Sequence, residues 1–148
     1  MFDENGTTRK VLITGASSGI GASASLFLAS KQFHVILVAR RLDRLESMKD
    51  QIIASGGTAT VFQCDLSRFS ERLALFEYLD QNDLVPDILI NNAGFAWYGY
   101  FHKMEWEIAE GIIDVNVEAI SHLSSLVLPQ MLERKSGHII NIGSIAGK

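Results

Sequence analysis

The sequence predicts an α/β protein, a doubly wound parallel sheet with helices on both faces in three layers. Three observations carry this. Five short apolar runs alternate with stretches whose apolar residues recur at helical spacing. The runs are apolar almost throughout rather than at every second position, as in strands covered on both faces. A glycine-rich turn joins the first run to the helix after it, where sheets of this kind gather ligands.

Taken in order, KVLIT at 10–14 is the first strand, GASSGIG the turn, and ASASLFLAS a segment suited to a buried helix face. FHVILVA at 33–39 is the second strand. RRLDRLESMKDQIIAS carries Leu42, Leu45, Met48, Ile52 and Ile53 at helical spacing, and Gly56-Gly57 stops it. TATVFQ at 58–63 is the third strand. SRFSERLALFEYLDQ at 67–81 is the third helix, with Ser67 as cap and Phe69, Leu73, Phe76 and Leu79 facing inward. DILINNAG at 87–94 is a strand and turn. From 102 to 134, the spacing of Trp106, Ile112, Ile113, Val115, Ile120, Leu123, Val127 and Met131 supports one or two helices, the second closed by ERKSG. HIINIGS at 138–144 is the fifth strand. No linker or repeat divides residues 1–148, which read as one domain.

Composition narrows the class. Of the 148 residues, 47% are hydrophobic and 20% charged, with two prolines, which excludes a disordered or linker-rich chain. A net charge of −4 argues against nucleic acid or an anionic membrane as partner. Cys64 is the single cysteine, so an internal disulfide and a thiolate metal cluster are both excluded, and no metal is expected. There is no uncharged apolar run of membrane-spanning length, and MFDENGTTRK lacks the order of a signal peptide. The expectation is a soluble, cytoplasmic protein.

In TGASSGIG, glycines at 15, 19 and 21 let the chain turn off the first strand and bring a helix N-terminus close to an anion, with Ser17 and Ser18 between them. The spacing departs from Gly-x-Gly-x-x-Gly, and no Lys-Ser/Thr pair follows, so triphosphate hydrolysis is disfavoured. A turn serving only compact packing is the alternative. At the end of the second strand, where a dinucleotide fold reads the adenosine ribose, stand Arg40 and Arg41 and no carboxylate. Two guanidiniums offer forked donors to a 2′-phosphate, which favours NADP over NAD. The plainer reading of the pair is a helix opening in surface charges.

Together TGASSGIG, NNAG at 91–94, Asn116 and INIGSIAG at 140–147 resemble, in order and spacing, the classical short-chain dehydrogenase/reductase family, and the resemblance covers the whole chain. It implies a Rossmann-like fold with strand order 3-2-1-4-5, truncated before strands six and seven, and NAD(P)-dependent oxidoreduction of a small carbonyl or alcohol substrate. It implies that Thr14 steadies the turn, that Ser17 and Ile20 line the pyrophosphate path, and that Asp65 and Leu66 receive the adenine. It implies as well that the Asn92-Ala93-Gly94 backbone passes the adenine ribose and that Asn91 helps to hold the central strand. The resemblance also implies that Asn116 kinks its helix and orders a relay water, and that Ser144 polarises the substrate oxygen. From the residues alone, Asp65 reads rather as a turn cap and Asn116 as a packed amide.

The family's proton donor belongs to a Tyr-x-x-x-Lys motif on the next helix, and no such motif follows Ser144 before Lys148. The expectation is an N-terminal part, inactive by itself, of an NADP-dependent enzyme that forms a dimer or tetramer. If the chain truly ends there, the alternative is a non-catalytic nucleotide-binding or subunit protein.

Overall fold

A computed structural model describes residues 6–144. Five parallel strands, β1 (Lys10–Thr14), β2 (His34–Ala39), β3 (Thr58–Gln63), β4 (Ile88–Asn91) and β5 (His138–Asn141), form one sheet in the order β3-β2-β1-β4-β5. The helices are α1 (Gly19–Ser30), α2 (Leu42–Ala54), α3 (Phe69–Gln81), α4 (Trp106–Ile113) and α5 (Ile120–Glu133). This is the predicted Rossmann-like architecture. The chain winds outward from β1 through β2 to β3, then returns to place β4 on the other side of β1. The sheet therefore switches direction between β1 and β4, and a crevice opens beyond their carboxyl ends.

Alternate strand residues explain the continuous apolar runs. Val11, Ile13, Val35 and Leu37 pack on one side with Ala29, Leu45 and Ile52, from α1 and α2. Leu12, Ile36, Val38 and Leu89 pack on the other with Leu75, Leu79, Leu123 and Val127, from α3 and α5. Burial on both faces holds for β1, β2 and β4 and fails at the edges, where β3 and β5 are only partly covered.

Two expectations about α3 are corrected. Its cap is Arg68, whereas the Ser67 hydroxyl donates to Asp65 Oδ1 at 2.8 Å, closing a tight turn before the helix. Its buried residues are Arg72, Leu75 and Leu79, while Phe69 is exposed. Leu79 does face inward and Phe76 packs, partly buried, on the same core, so the expected stripe fails at Phe69, and Arg72 takes a place in the interior. Between α4 and α5, Asp114–Ala119 form a π-helical turn, so Trp106–Glu133 is one helical run. Among the described residues this run is long and apolar enough, by length and composition, to cross a membrane. Here it is layered on the sheet through Ala119, Leu123, Val127 and Met131.

Two histidines tie stability to pH. His34 Nε2 lies 2.8 Å from Thr60 Oγ1, and burial, then the Lys10 charge, lowers its pKa. Burial and then the Arg72 guanidinium lower that of His122. Both rings are held in the neutral form, so the unfolded chain takes up more protons just below the ordinary histidine value of 6.5. Their contribution is present above that value and is lost as pH falls from it through the lowered values of the folded state. The urea midpoint should hold between about pH 8 and 7 and drop towards about pH 5.5, with a shallower drop in His122→Asn. A flat profile would remove this account.

Candidate functional site

The crevice is built from the strand ends upward. Beyond Thr14 the chain turns at Gly15, φ +67°, so tightly that a Cβ there would sit 2.9 Å from Ala93 Cα. Thr14 Oγ1 accepts the N–H groups of Asn92 at 2.9 Å and Ala93 at 3.0 Å, which locks the turn after β1 to the loop after β4. Asn92 Nδ2 donates back to the Thr14 carbonyl at 3.0 Å. Gly21, in the first turn of α1, lies directly on this junction: a Cβ would meet the Gly15 carbonyl and fall 2.5 Å from Asn92 Nδ2.

At the start of α1, Ser18 occupies the N-cap position, but among the described residues no side chain caps the helix, and its first turn holds no acidic residue. The positive end of the helix dipole is therefore left unneutralised beside Ser17 and Ser18. Arg41 adds charge at the same place, its Nη2 donating to Ser17 Oγ and Ser18 Oγ, each at 3.0 Å. The Arg40 carbonyl accepts from Gln63 Nε2 at 2.9 Å, joining the exits of β2 and β3.

These elements enclose a cleft of about 260 Å³. It brings together Gly15, Ser17, Ser18, Arg40 and Arg41 on one side with Asp65, Leu66 and the Asn92–Gly94 backbone on the other. Thr14 lies buried behind it. Gly19, Ile20, Gly21, Asn116 and Ser144 stand outside its wall, and Ile20 is largely exposed. Asp65 closes the turn, as the plainer reading of it has it, and it stands at the cleft. Its carboxylate accepts the Ser67 N–H at 3.1 Å.

Asn116 sits in the π turn, where the altered helical bonding makes room for a half-buried amide. Its Nδ2 donates to the Phe95 carbonyl at 2.9 Å, and its Oδ1 accepts the Phe95 N–H at 3.2 Å. It thereby fixes the loop leaving β4. Ser144 is exposed beyond β5, two residues after Ile142, whose N–H donates to the Asn91 carbonyl at 2.9 Å.

Four cleft residues, Ala39, Cys64, Phe95 and Val115, escaped the sequence reading. Ala39 and Cys64 end or follow strands, and a rule that ligands gather at carboxyl ends finds both. Phe95 and Val115 adjoin motif residues but carry no chemical signature of their own. Burial, then Glu71 and Asp65, pushes the Cys64 thiol up to about 12, so it is a protonated, apolar part of the wall.

Residues 9–148 match the sequence model of the short chain dehydrogenase family. An uncharacterised oxidoreductase of Myxococcus xanthus is 37% identical over 139 residues, covering 94% of this chain and 55% of that protein. A metagenomic short-chain oxidoreductase solved with NADP superposes with a TM-score of 0.90 at 38% identity, over 95% of this chain and 64% of that one. A short-chain dehydrogenase of Sphingobium yanoikuyae solved with NADPH gives 0.88 at 37% identity, over 94% of this chain and 55% of that one. The chain spans about half the length of the curated relatives it matches.

Proposed function

The chain belongs to the short-chain dehydrogenase family, and from that premise we propose that it binds NADP in preference to NAD and forms part of an oxidoreductase acting on a small carbonyl or secondary alcohol. The observation that carries the reading is the meeting, in one cleft, of the uncapped α1 N-terminus with the Arg41 guanidinium. A pyrophosphate suits the first, because backbone N–H groups and the helix dipole favour an anion there. A 2′-phosphate suits the second, because a planar forked donor matches its oxygens. The tight Gly15–Gly21–Asn92 junction supports the fit, since a Cβ at either glycine would displace the backbone that forms the cradle.

When bound, the nicotinamide carries the hydride. Thr14 and Asn92 hold the two loops at a constant separation, and Asp65 and Leu66 form the wall for the adenine. Ser144 donates to the substrate oxygen and stabilises the negative charge it acquires. Asn116 keeps Phe95 in place, and its π turn offers backbone carbonyls to a relay water. The FAWYGYF loop, with Tyr98 and Tyr100 exposed, forms a wall beside the substrate. Trp106, Ile113, Val117 and Leu128, exposed along one helical run, support a homo-oligomer, dimer or tetramer, of the whole protein.

Binding is the readout suited to this chain. Titration followed by nicotinamide fluorescence should give an affinity for NADPH at least ~10-fold above that for NADH, the effect of one charge-assisted contact to the 2′-phosphate. Tighter binding of NADH would overturn the cofactor preference, and binding of neither would overturn the reading.

A further inference from the structure

Arg72 on α3 carries a charge where the fold gives it no water. Its side chain is 0% exposed, and it lies in the interior with Leu75 and Leu79 of the same helix. A buried guanidinium persists only if its donors are taken, and an apolar side chain of similar length would occupy the space without that demand. The partners show what is gained. Nε donates to His122 Nδ1 at 3.0 Å, Nη1 donates to the Leu66 carbonyl at 2.5 Å, and Nη2 pairs with Glu118, whose side chain is half-exposed.

These partners lie on two segments, the exit of β3 and the helical run Trp106–Glu133. Leu66 belongs to the exit of β3 and borders the cleft. Glu118 belongs to the π turn, which also carries Val115, on the cleft wall, and Asn116, which grips Phe95. His122 is in α5 and stacks on Phe69, ring centres 4.6 Å apart. Its Nδ1 must lack a proton to accept from Arg72, in keeping with its lowered pKa. The preceding residue, Glu71, takes the Asp65 N–H at 2.6 Å. Neighbouring α3 residues thus hold neighbouring peptide groups of the β3 exit, one as acceptor and one as donor.

We propose that Arg72 is a positioning residue of the nucleotide site, tying the Asp65–Leu66 wall to the π turn so that this side of the cleft stands ready before a ligand arrives. This rests on reading the cleft as the nucleotide site. Glu118 gives the cleanest test, because it does not line the cleft and can reach a ligand only through Arg72 or through the π turn it helps to fix.

The test uses 2′,5′-ADP, which carries the adenine and 2′-phosphate but no nicotinamide, titrated by calorimetry into the chain and its variants, with thermal unfolding measured alongside. Arg72→Met should weaken binding ~10-fold and Glu118→Ala ~3-fold, and the double variant should be no weaker than Arg72→Met. That non-additivity in ligand affinity is what a residue that only fills the core would not produce. The proposal is overturned if folded Arg72→Met or Glu118→Ala binds as the unaltered chain does, or if the two losses add. If Arg72→Met does not fold, Glu118→Ala decides by itself: a ~3-fold loss at an unchanged unfolding temperature supports the proposal, and unchanged affinity overturns it. Failure of the unaltered chain to bind 2′,5′-ADP sinks the nucleotide reading and this inference with it, whereas unaltered binding with indifferent variants sinks the inference alone.

Discussion

Gly21→Val should lose detectable nucleotide binding and unfold at a clearly lower urea concentration than the unaltered chain. Two effects of opposite sign meet at this position. Glycine inside a helix is less favourable than alanine by roughly 1 kcal/mol, so a side chain on α1 would by itself be stabilising. Against that, the first added carbon would meet the Gly15 carbonyl and lie 2.5 Å from Asn92 Nδ2. Both neighbours are held, the carbonyl because it is backbone and the amide because it donates to Thr14. Neither can rotate aside as the end of a flexible side chain would. The helix must lift from the turn, a cost of about 1–3 kcal/mol or more for overpacking, which exceeds the propensity gain. Lifting α1 also withdraws its N-terminus from the cleft, so stability and binding fall together. Urea unfolding and NADPH titration of Gly21→Ala and Gly21→Val check this. An alanine variant as stable as the unaltered chain would mean that α1 does not press on the turn.

Arg41→Ala should weaken NADPH about 10- to 100-fold while changing NADH by less than about 3-fold. A hydrogen bond from a charged group contributes about 1.5–3 kcal/mol, and only NADPH presents the phosphate that would receive it. Arg41 is already directed towards the phosphate-binding turn by Ser17 and Ser18, so little side-chain freedom remains to be lost on binding. Arg40 also borders the cleft, and Arg40→Ala should act in the same direction. Lysine at position 41 should recover only part of the loss, since an ammonium cannot reproduce the planar fork. Equal losses for the two cofactors would show that the arginines open a helix and nothing more.

Much of the cleft was legible because its residues are unusual in kind or place. Glycines between a strand and a helix, paired arginines at a strand end and an Asn-Asn-Ala-Gly turn each have a local physical reason to stand where they do. The inward face of α3 was legible only in part: Phe76 and Leu79 do meet the core. Phe69, Leu73, Phe76 and Leu79 make a fair apolar stripe, and an arginine in that helix reads as solvent-facing, yet Arg72 is buried and Phe69 exposed. Ser67 likewise has the chemistry of a helix cap, but Asp65 offers its hydroxyl a nearer acceptor.

The amino-acid sequence by itself determined the alternation of strands and helices, the glycine turn and the family, because apolar runs, helical periodicity and motif order are local properties of a chain that must bury a two-faced sheet. The tertiary structure decided which of these pieces meet. Arg72 reaches His122 across 50 positions and Glu118 across 46, and Thr14 holds Asn92 across 78. No periodicity records such pairs, since the free energy of a buried charge or of a Cβ at Gly21 depends on groups that only the folded sheet brings alongside.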